Sequence, residues 1–507
     1  MRAPPRRSSM KKLFDLVELR LKSMQLDWSS IGMSEHSAEV SQNDIYIARQ
    51  GKTTHGIRFA TDALQRGAVL IICEDSADAR QYVDDQLASY FDRIVFSDDF
   101  DQSVKALADR VYGKAVKNVS LVGITGTNGK TSTAFISVAM LSLQGIKAGL
   151  IGTSGYGVYG DELKSTRNTT PDYLSIRRYI SELVNHGCQC VVMEVSSHAI
   201  ALERVAGLEF DVKVFTNFSR DHLDFHGSLE QYREVKESFI LARGTGKLVI
   251  NTDDPVGFGM CDGLRNSKNI RGYGFNNPPK CISAYMKCVS AKHVAAGGQS
   301  VTVEYAGSHL DFQSGLSGKF NVYNFMAALL VCDALGLDNR LLIESPERIK
   351  PIAGRAQHVP ETSRAQVYID YAHTPDGISS VLQDLTGMDE NSGDVWCLFG
   401  CGGDRDRGKR AAMGRIAVEL SDHVVICDDN VRSEVPEKIL VDIINGIEQK
   451  AGMVVCRDRE QAINYIASQA NEDDLVFILG KGSESFIDYG NKKLPMNDMD
   501  TASRYFS

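Results

Sequence analysis

Short apolar runs alternate with amphipathic stretches along most of the chain, and glycine or aspartate punctuates the joints. Near the N-terminus, IYIA at 45–48 and AVLIIC at 68–73 predict strands, and GIRFATDALQRG between them predicts a helix stopped by Gly67. The pattern sharpens at residue 118, where VSLVGITGTNGKTSTAFISVAMLSLQG reads as strand, glycine loop and helix closed by Gly145. CVVMEVSS, VKVFTNFS and KLVINTDD continue the strands, with helical stretches between them. From about residue 350, VYIDYAHTP, VWCLFGCGG, HVVICDD and LVFILGKG are apolar strands that each run into a glycine- or aspartate-rich loop. Strands alternating with helices predict parallel sheets wrapped by helices. Ligands of a doubly wound sheet sit at the carboxyl ends of its strands, where these polar loops fall. The expectation is an α/β protein of three domains, 1–117, 118–349 and 350–507: a small α/β unit, a central P-loop ATPase-like parallel sheet, and a Rossmann-like doubly wound unit.

At 507 residues the chain is too long for one hydrophobic core, which agrees with three units. Its 43% apolar and 24% charged content is ordinary for a globular protein. No apolar run reaches the roughly 18 residues of a membrane-spanning helix. The basic opening MRAPPRRSSMKK is followed by LFDLVELRLKSM, which mixes charges with apolar residues instead of forming an export signal. A cytoplasmic protein without membrane insertion is expected, with its first ten residues a loose extension. A net charge of −9 and the lack of a long basic stretch argue against nucleic acid as a partner. The 11 cysteines are scattered, and Cys188, Cys190 and Cys401 lack zinc-type pairing, so reduced thiols are expected.

The first chemistry-bearing segment is Gly126-Thr127-Asn128-Gly129-Lys130-Thr131, followed by Ser132. Small residues between a strand and a helix let backbone N–H groups approach phosphate oxygens; Lys130 adds a charge and Thr131 a hydroxyl for Mg²⁺. The general phosphate-loop pattern places a glycine five residues before Gly129, where this chain has Ile124. A phosphate loop also needs an acidic group on a neighbouring strand. Glu194 ends the apolar run VVME, where a carboxylate is costly unless paired, and Ser196, Ser197 and His198 follow it.

The segment from Ser228 to Ile240 predicts a helix with Ser228 and Gln231 as a capping box and Leu229, Tyr232, Val235, Phe239 and Ile240 as its apolar stripe. Lys236 falls beside that stripe, where a lysine ordinarily snorkels its head into water. His222, after the apolar run VKVFTNF, sits where a metal ligand at a sheet edge would; a hydrogen-bonded loop histidine is the plainer alternative. His226 and Asp224 are expected to be structural.

GTNGKTS, MEVSSHA, TNFSRDHLDFHG, GKFNVYN, GR, DYAHTP and GCGGDRDRGKR occur here in the order seen in the Mur ligase family, over residues 35–490. The chain resembles that family, and in particular its members that add the third amino acid, meso-2,6-diaminopimelate or L-lysine, to a uridine-nucleotide-linked dipeptide. The resemblance implies ATP-dependent amide-bond formation in cell-wall precursor synthesis by a monomer, through an acyl phosphate on the D-Glu γ-carboxylate of UDP-N-acetylmuramoyl-L-Ala-D-Glu. It implies that Thr131 and Glu194 bind one Mg²⁺, and that Glu194, His222 and Lys236 organise a second. Lys236 would carry a CO₂-derived carbamate, which turns a cation into an anionic metal ligand. Asn324 would contact the adenine, and Arg355, Asp370 and His373 would grip ATP. Ser37, Asn168, Thr169, Thr170, Ser196 and Arg204 would hold the uridine-nucleotide peptide.

For the incoming amino acid the resemblance implies Arg405, Asp429, Asn430, Arg432, Gly480 and Glu484. Arg432 can pair bidentately with the distal carboxylate that diaminopimelate has and lysine lacks, and Glu484 can accept from the distal ammonium. Diaminopimelate is therefore the expected substrate. The chain departs from the family in three places. Val431 stands where Asp-Asn-Pro-Arg has proline, Ser483 where histidine is usual, and His36-Ser37-Ala38 where Asp-Ser-Arg is usual, so an arginine donor is missing.

Three other functions compete. A folylpolyglutamate or cyanophycin synthetase would share the phosphate loop but not the NTTP, MEVSSH and DNVR segments. An idle nucleotide-binding scaffold would have lost Lys130, Glu194, His222 or Lys236, and all four are present. A dinucleotide oxidoreductase would need G-x-G-x-x-G before a helix, which neither 152–157 nor 400–403 supplies.

Overall fold

A computed structural model describes residues 7–507 apart from 52, 243, 245, 265–268, 281, 283, 295–297, 339–348, 350, 387–392 and 449–451. It divides into two compact units. The first comprises Met1–Ser120, Lys147–Val191 and Leu202–Leu208. Its four-stranded parallel sheet runs β1 (Met33–Ser34), β2 (Ile45–Ala48), β3 (Leu70–Glu74) and β4 (Ile94–Ser97) in sequence order. Every residue of β2 is buried, so the apolar run IYIA marks a strand covered on both faces. A helix over Arg7–Ser23 lays Leu13, Val17 and Leu21 on one side of this sheet, so the expected loose extension is helical from Arg7. The predicted helix at 56–67 is a 3₁₀ turn, Gly56–Phe59, that continues as an α-helix to Gln65.

The chain contributes β5 (Ser120–Thr125) to the second unit, then returns to the first for an antiparallel hairpin, β6 (Ala148–Gly152) and β7 (Gly155–Val158), and the helix Tyr173–Asn185. That helix is fastened within the first unit by Arg178, whose guanidinium donates to Asp44 at 2.7 Å.

The second unit holds Leu121–Ile146, Val192–Ala201 and Glu209–Ser507. Its larger sheet is built from β5, β8 (Cys190–Glu194), β9 (Val212–Phe215), β10 (Lys247–Asn251), β11 (Ile270–Gly274), β12 (Ala284–His293), β13 (Gln299–Tyr305) and β14 (Ser308–Ser314). The order is β14-β13-β12-β11-β10-β9-β5-β8. The strands from β5 through β12 pair in parallel, as the alternating pattern predicts, but β13 and β14 add an antiparallel meander that sequence analysis missed. Their alternating buried and exposed residues mark a sheet with one face in water.

The second sheet of this unit comprises β15 (Gln357–His358), β16 (Gln366–Asp370), β17 (Val395–Phe399), β18 (His423–Ile426), β19 (Met453–Val455) and β20 (Leu475–Leu479). Its order is β15-β16-β20-β17-β18-β19, parallel except for the edge strand β15. Phe399, Ile426, Phe477 and Leu479 pack on one face, and Leu398, Val425, Val476 and Ile478 on the other. Both faces being apolar requires helices on each side, and brings the carboxyl ends of β16, β17, β18 and β20 together at one edge. No helix among the described residues is long and apolar enough to cross a membrane.

Candidate active site

The phosphate loop leaves β5 at Gly126 and enters the helix Lys130–Leu143 at Gly129. Both glycines have positive φ, 149° and 82°. A side chain at Gly126 would collide with the Thr216 hydroxyl, and one at Gly129 would come 2.6 Å from Asn324 Oδ1, so only glycine fits either place. Ile124, at the departure from the general pattern, is fully buried in β5 and lies outside the loop. Thr127 is anchored by the Ser219 backbone N–H, which donates to its Oγ1 at 3.0 Å. Asn128 donates its backbone N–H to Asn217 Oδ1 at 2.8 Å, and Ser132 is buried in the first helical turn.

Lys130 folds back on the loop, its Nζ donating to the carbonyls of Gly126 and Thr127 at 2.9 and 2.8 Å. Burial lowers its ammonium below the usual lysine range, against the opposing pull of Glu194 and Asp221. Thr131 donates its hydroxyl to Glu194 Oε2 at 2.8 Å, so these two candidate metal ligands already touch. Glu194, at the end of β8, is buried.

Lys236 does not snorkel. It is 1% exposed, and its Nζ donates to the Gly126 carbonyl at 2.7 Å, the same oxygen that Lys130 uses. Burial first, and then the charge of Lys130, hold it well below the usual lysine range. Its helix runs Leu229–Leu241, with Ser228 Oγ accepting from the Gln231 N–H as the capping sequence predicts. His222 has φ 53° and packs edge-on to His198, ring centroids 4.8 Å apart; burial pushes it down to about 3, leaving a neutral imidazole. His226 is structural, with Nε2 2.9 Å from Ser197 Oγ.

Sequence analysis passed over Asp221, the centre of this cluster. Burial alone would raise its carboxyl, but His373 and then Lys409 hold it well below the usual range. Lys409 Nζ lies 3.0 Å from Oδ1, while His373 Nε2 and His222 Nε2 lie 3.6 and 3.4 Å from Oδ2. The signal was an acid immediately before the candidate ligand His222. Its partners His373 and Lys409, however, come from the second sheet of the unit, about 150 residues or more further along.

Two nucleotide candidates are hydrogen-bonded within the protein. Asp370, buried at the end of β16, accepts the backbone N–H of Ala356 and of Ala372, each at 2.7 Å, so its oxygens fasten two loops. Asn324 accepts from Thr133 Oγ1 at 3.1 Å and donates to Asn321 at 3.2 Å beneath the phosphate loop. Arg355 reaches the loop directly, Nη2 donating to Thr131 Oγ1 at 3.1 Å with its guanidinium 4.5 Å above the Tyr371 ring.

The amino-acid candidates converge at the carboxyl ends of β17, β18 and β20. A side chain at Gly402 would come 2.8 Å from Arg432 Nη1 and 3.8 Å from Arg405 Cγ, so both arginines border the same glycine. Arg432 has φ 55° and donates to the Gly403 carbonyl at 2.7 Å. Asp429 Oδ2 would lie 2.9 Å from a side chain at Gly480, whose φ is 107°. Asn430 Nδ2 donates to Glu484 Oε2 at 2.8 Å. Glu484 is also paired with the buried Lys481, a residue that sequence analysis missed. Val431, in place of proline, is buried in the core of this sheet.

Most uridine-nucleotide candidates lie in the first unit. Ser37 opens the turn Ser37–Glu39, Asn168 is exposed, and Thr169 Oγ1 accepts from Thr153 at 3.1 Å. Arg204 donates to the Thr170 carbonyl at 2.8 Å. Ser196 belongs to the second unit, where its hydroxyl accepts the Ala199 N–H. The arginine absent after Ser37 has a neighbour from elsewhere: Arg167 Nη1 lies 3.3 Å from His36 Nδ1 and pairs with Glu39.

A phosphate loop, a strand-end carboxylate touching its threonine, and a polar pocket at the edge of a second, doubly wound sheet define a nucleotide-using α/β enzyme with a separate pocket for a second substrate. The chain belongs to the Mur ligase family. The sequence pattern of its catalytic domain matches residues 31–118, that of the middle domain 124–332, and that of the glutamate ligase domain 354–482. A UDP-N-acetylmuramoyl-L-alanyl-D-glutamate–2,6-diaminopimelate ligase of Vibrio vulnificus is 34% identical over 97% of this chain and 95% of its own. The Haemophilus ducreyi protein of the same name is 35% identical over 96% of each chain. A solved structure bearing that name superposes with a TM-score of 0.60 at 29% identity, covering 94% of both chains.

Proposed function

We propose that the chain joins meso-2,6-diaminopimelate to the D-Glu γ-carboxylate of UDP-N-acetylmuramoyl-L-Ala-D-Glu, converting ATP to ADP and phosphate, as a cytoplasmic monomer. Residues 1–117 bind the uridine nucleotide, 118–349 bind ATP, and 350–507 bind the amino acid. The observation that carries this function is Arg355. It donates to Thr131 of the phosphate loop, while its neighbour Gly354 abuts the Ser483 backbone in the Gly480–Glu484 loop of the amino-acid pocket. One short segment thus joins the two places where phosphoryl transfer and amine attack must meet.

A carboxylate is a poor electrophile, so it must first accept the γ-phosphoryl group of ATP. The resulting acyl phosphate is attacked by the neutral amine of diaminopimelate; the C–O bond to phosphate breaks, inorganic phosphate leaves, and the amine proton passes to solvent or phosphate. Lys130 shifts from the loop carbonyls to the transferring phosphoryl, where its charge offsets the charge that develops. Arg355 closes from the other side. Positioning supplies most of the acceleration, because protein side chains form no covalent bond to the substrate.

The Thr131 hydroxyl and Glu194 carboxylate fit the oxygen preference of Mg²⁺, and His222 would add a nitrogen donor. Bound there, Mg²⁺ supplies charge neutralisation on the phosphate oxygens. Lys236 as a free amine does not fit a metal site, but its burial beside Lys130 favours the neutral form that reacts with CO₂. The N–C bond forms, one proton leaves, and the carbamate gives this cationic pocket an anion. Arg405 and Arg432 bind the distal carboxylate of diaminopimelate, and Glu484 its distal ammonium.

Phosphate release from ATP with UDP-N-acetylmuramoyl-L-Ala-D-Glu tests the proposal, with meso-diaminopimelate, L-lysine or no amino acid. Release driven by diaminopimelate, with the tripeptide seen by mass, is expected. Release with lysine alone would keep the ligase and overturn the amino-acid choice, and silence with all three would overturn both.

A further inference from the structure

We infer that Lys481 is a positioning residue for the distal end of the amino-acid substrate, acting through Glu484 and Asn430; this role rests on the ligase function proposed above. Lys481 follows Gly480 at the carboxyl end of β20, and its side chain has no exposed surface. A fully buried ammonium is costly unless its protons are matched by acceptors. Here Nζ donates to Glu484 Oε2 at 2.7 Å and to Asn430 Oδ1 at 3.3 Å.

These contacts fix two side chains that would otherwise rotate. Asn430 Oδ1 takes donors from Lys481 and from the Asp488 backbone N–H at 2.9 Å, so the amide nitrogen must face Glu484, to which it donates at 2.8 Å. Among the described residues, Lys481 and Asn430 both donate to Glu484 Oε2. Oε1 is thereby the oxygen presented to a substrate, and the side chain, 31% exposed, reaches the pocket from a buried anchor. Without Lys481, Glu484 would keep one amide donor and a soft torsion, and Asn430 could flip. A site must hold its polar groups within about 0.5 Å to bind a substrate end selectively.

Lys481 also balances charge. Arg405 and Arg432 suit a distal carboxylate, while Glu484 suits a distal ammonium; Lys481 gives the Glu484 carboxylate a cationic partner within the protein.

The test is steady-state kinetics of full-length Lys481→Met, Lys481→Arg, Glu484→Gln and the Lys481→Met/Glu484→Gln pair, each varied in all three substrates. For Lys481→Met, KM for diaminopimelate is expected to rise at least tenfold, with KM for ATP and for the uridine-nucleotide dipeptide within about threefold of wild type. Lys481→Arg should recover part of that loss. In the double variant, losing Lys481 should add little to the Glu484→Gln defect. Independent, multiplying defects would overturn the inference, as would an equal rise in all three KM values with a lowered thermal midpoint, which would make Lys481 a folding residue only. A wild-type protein that shows no diaminopimelate-driven turnover would instead remove the function on which the inference rests.

Discussion

Lys409 Nζ lies 3.0 Å from Asp221 Oδ1, and both side chains are more than nine-tenths buried. Asp221 follows β9 of the sheet that carries the phosphate loop, and Lys409 follows β17 of the sheet that carries the amino-acid pocket. Their contact, with His373 on the other carboxylate oxygen, ties the two halves of the second unit directly beside His222. Breaking a buried pair by removing one partner ordinarily costs about 3–5 kcal/mol, because the other charge is left uncompensated. Asp221→Asn is therefore expected to lower the thermal midpoint by several degrees and kcat/KM at least tenfold. Adding Lys409→Met should cost less than the sum of the single changes. Calorimetry and phosphate release on the four proteins would decide it; strict additivity would mean the pair is not coupled.

Lys236→Ala is expected to abolish turnover, leaving less than about 1% of wild type, since loss of a centre for charge stabilisation removes on the order of 2.7–4 kcal/mol. The carbamate itself is tested separately. Wild-type protein in ¹³C-bicarbonate should show a carbamate carbonyl signal by NMR that is missing in Lys236→Ala, and depleting CO₂ should lower activity reversibly. A wild-type protein without that signal would leave Lys236 as a buried amine.

Arg432 is held at φ 55°, so a test of its side chain should not also strain the backbone. Asparagine tolerates that region better than alanine. Arg432→Asn is expected to raise KM for diaminopimelate about 10- to 100-fold through loss of a bidentate charged contact, with KM for ATP changed less than about threefold. Equal effects on both substrates would count against the pocket.

Acid should weaken the fold through two histidines. Burial pushes His222 down to about 3 and His226 down to about 4. Unfolded histidines bind a proton near pH 6.5, so between that pH and about 4 the unfolded chain holds more protons than the folded one. The stability that comes from keeping these rings neutral is thus present above about pH 6.5 and is lost as pH falls through this window. Urea unfolding at pH 7, 6 and 5 should show falling stability. Proton uptake on unfolding near pH 5 should be about one proton smaller in His226→Gln; an unchanged slope would mean that ring is not buried neutral.

Arg459 and Asp498 form a fully buried, two-pronged pair, at 2.8 and 2.7 Å, that fixes the C-terminal helix Asp498–Phe506 to the second sheet. Asp498→Ala should destabilise by about 3–5 kcal/mol, read as a shift in the urea midpoint. A change below 1 kcal/mol would show that the helix docks through its apolar contacts alone.

Local pattern determined much of this protein. The spacing of apolar residues marked β2, β5, β8 and β20, and the phosphate loop was legible because its glycines, lysine and threonine are contiguous and answer to backbone sterics at that spot. The Ser228 cap was legible for the same reason: its partner is three residues away. The meander β13–β14 was missed because its pairing is settled by partners across the sheet. Tertiary structure alone decided which charges meet. Nothing within a few residues of Lys236 says that it is buried on the Gly126 carbonyl, nor that Asp370 spends its oxygens on backbone N–H groups, nor that Asp221 meets Lys409 and Glu484 meets Lys481 and Asn430. A side chain's protonation and reach depend on burial and on partners brought from distant strands, and those are properties of the packed sheets, not of neighbouring letters.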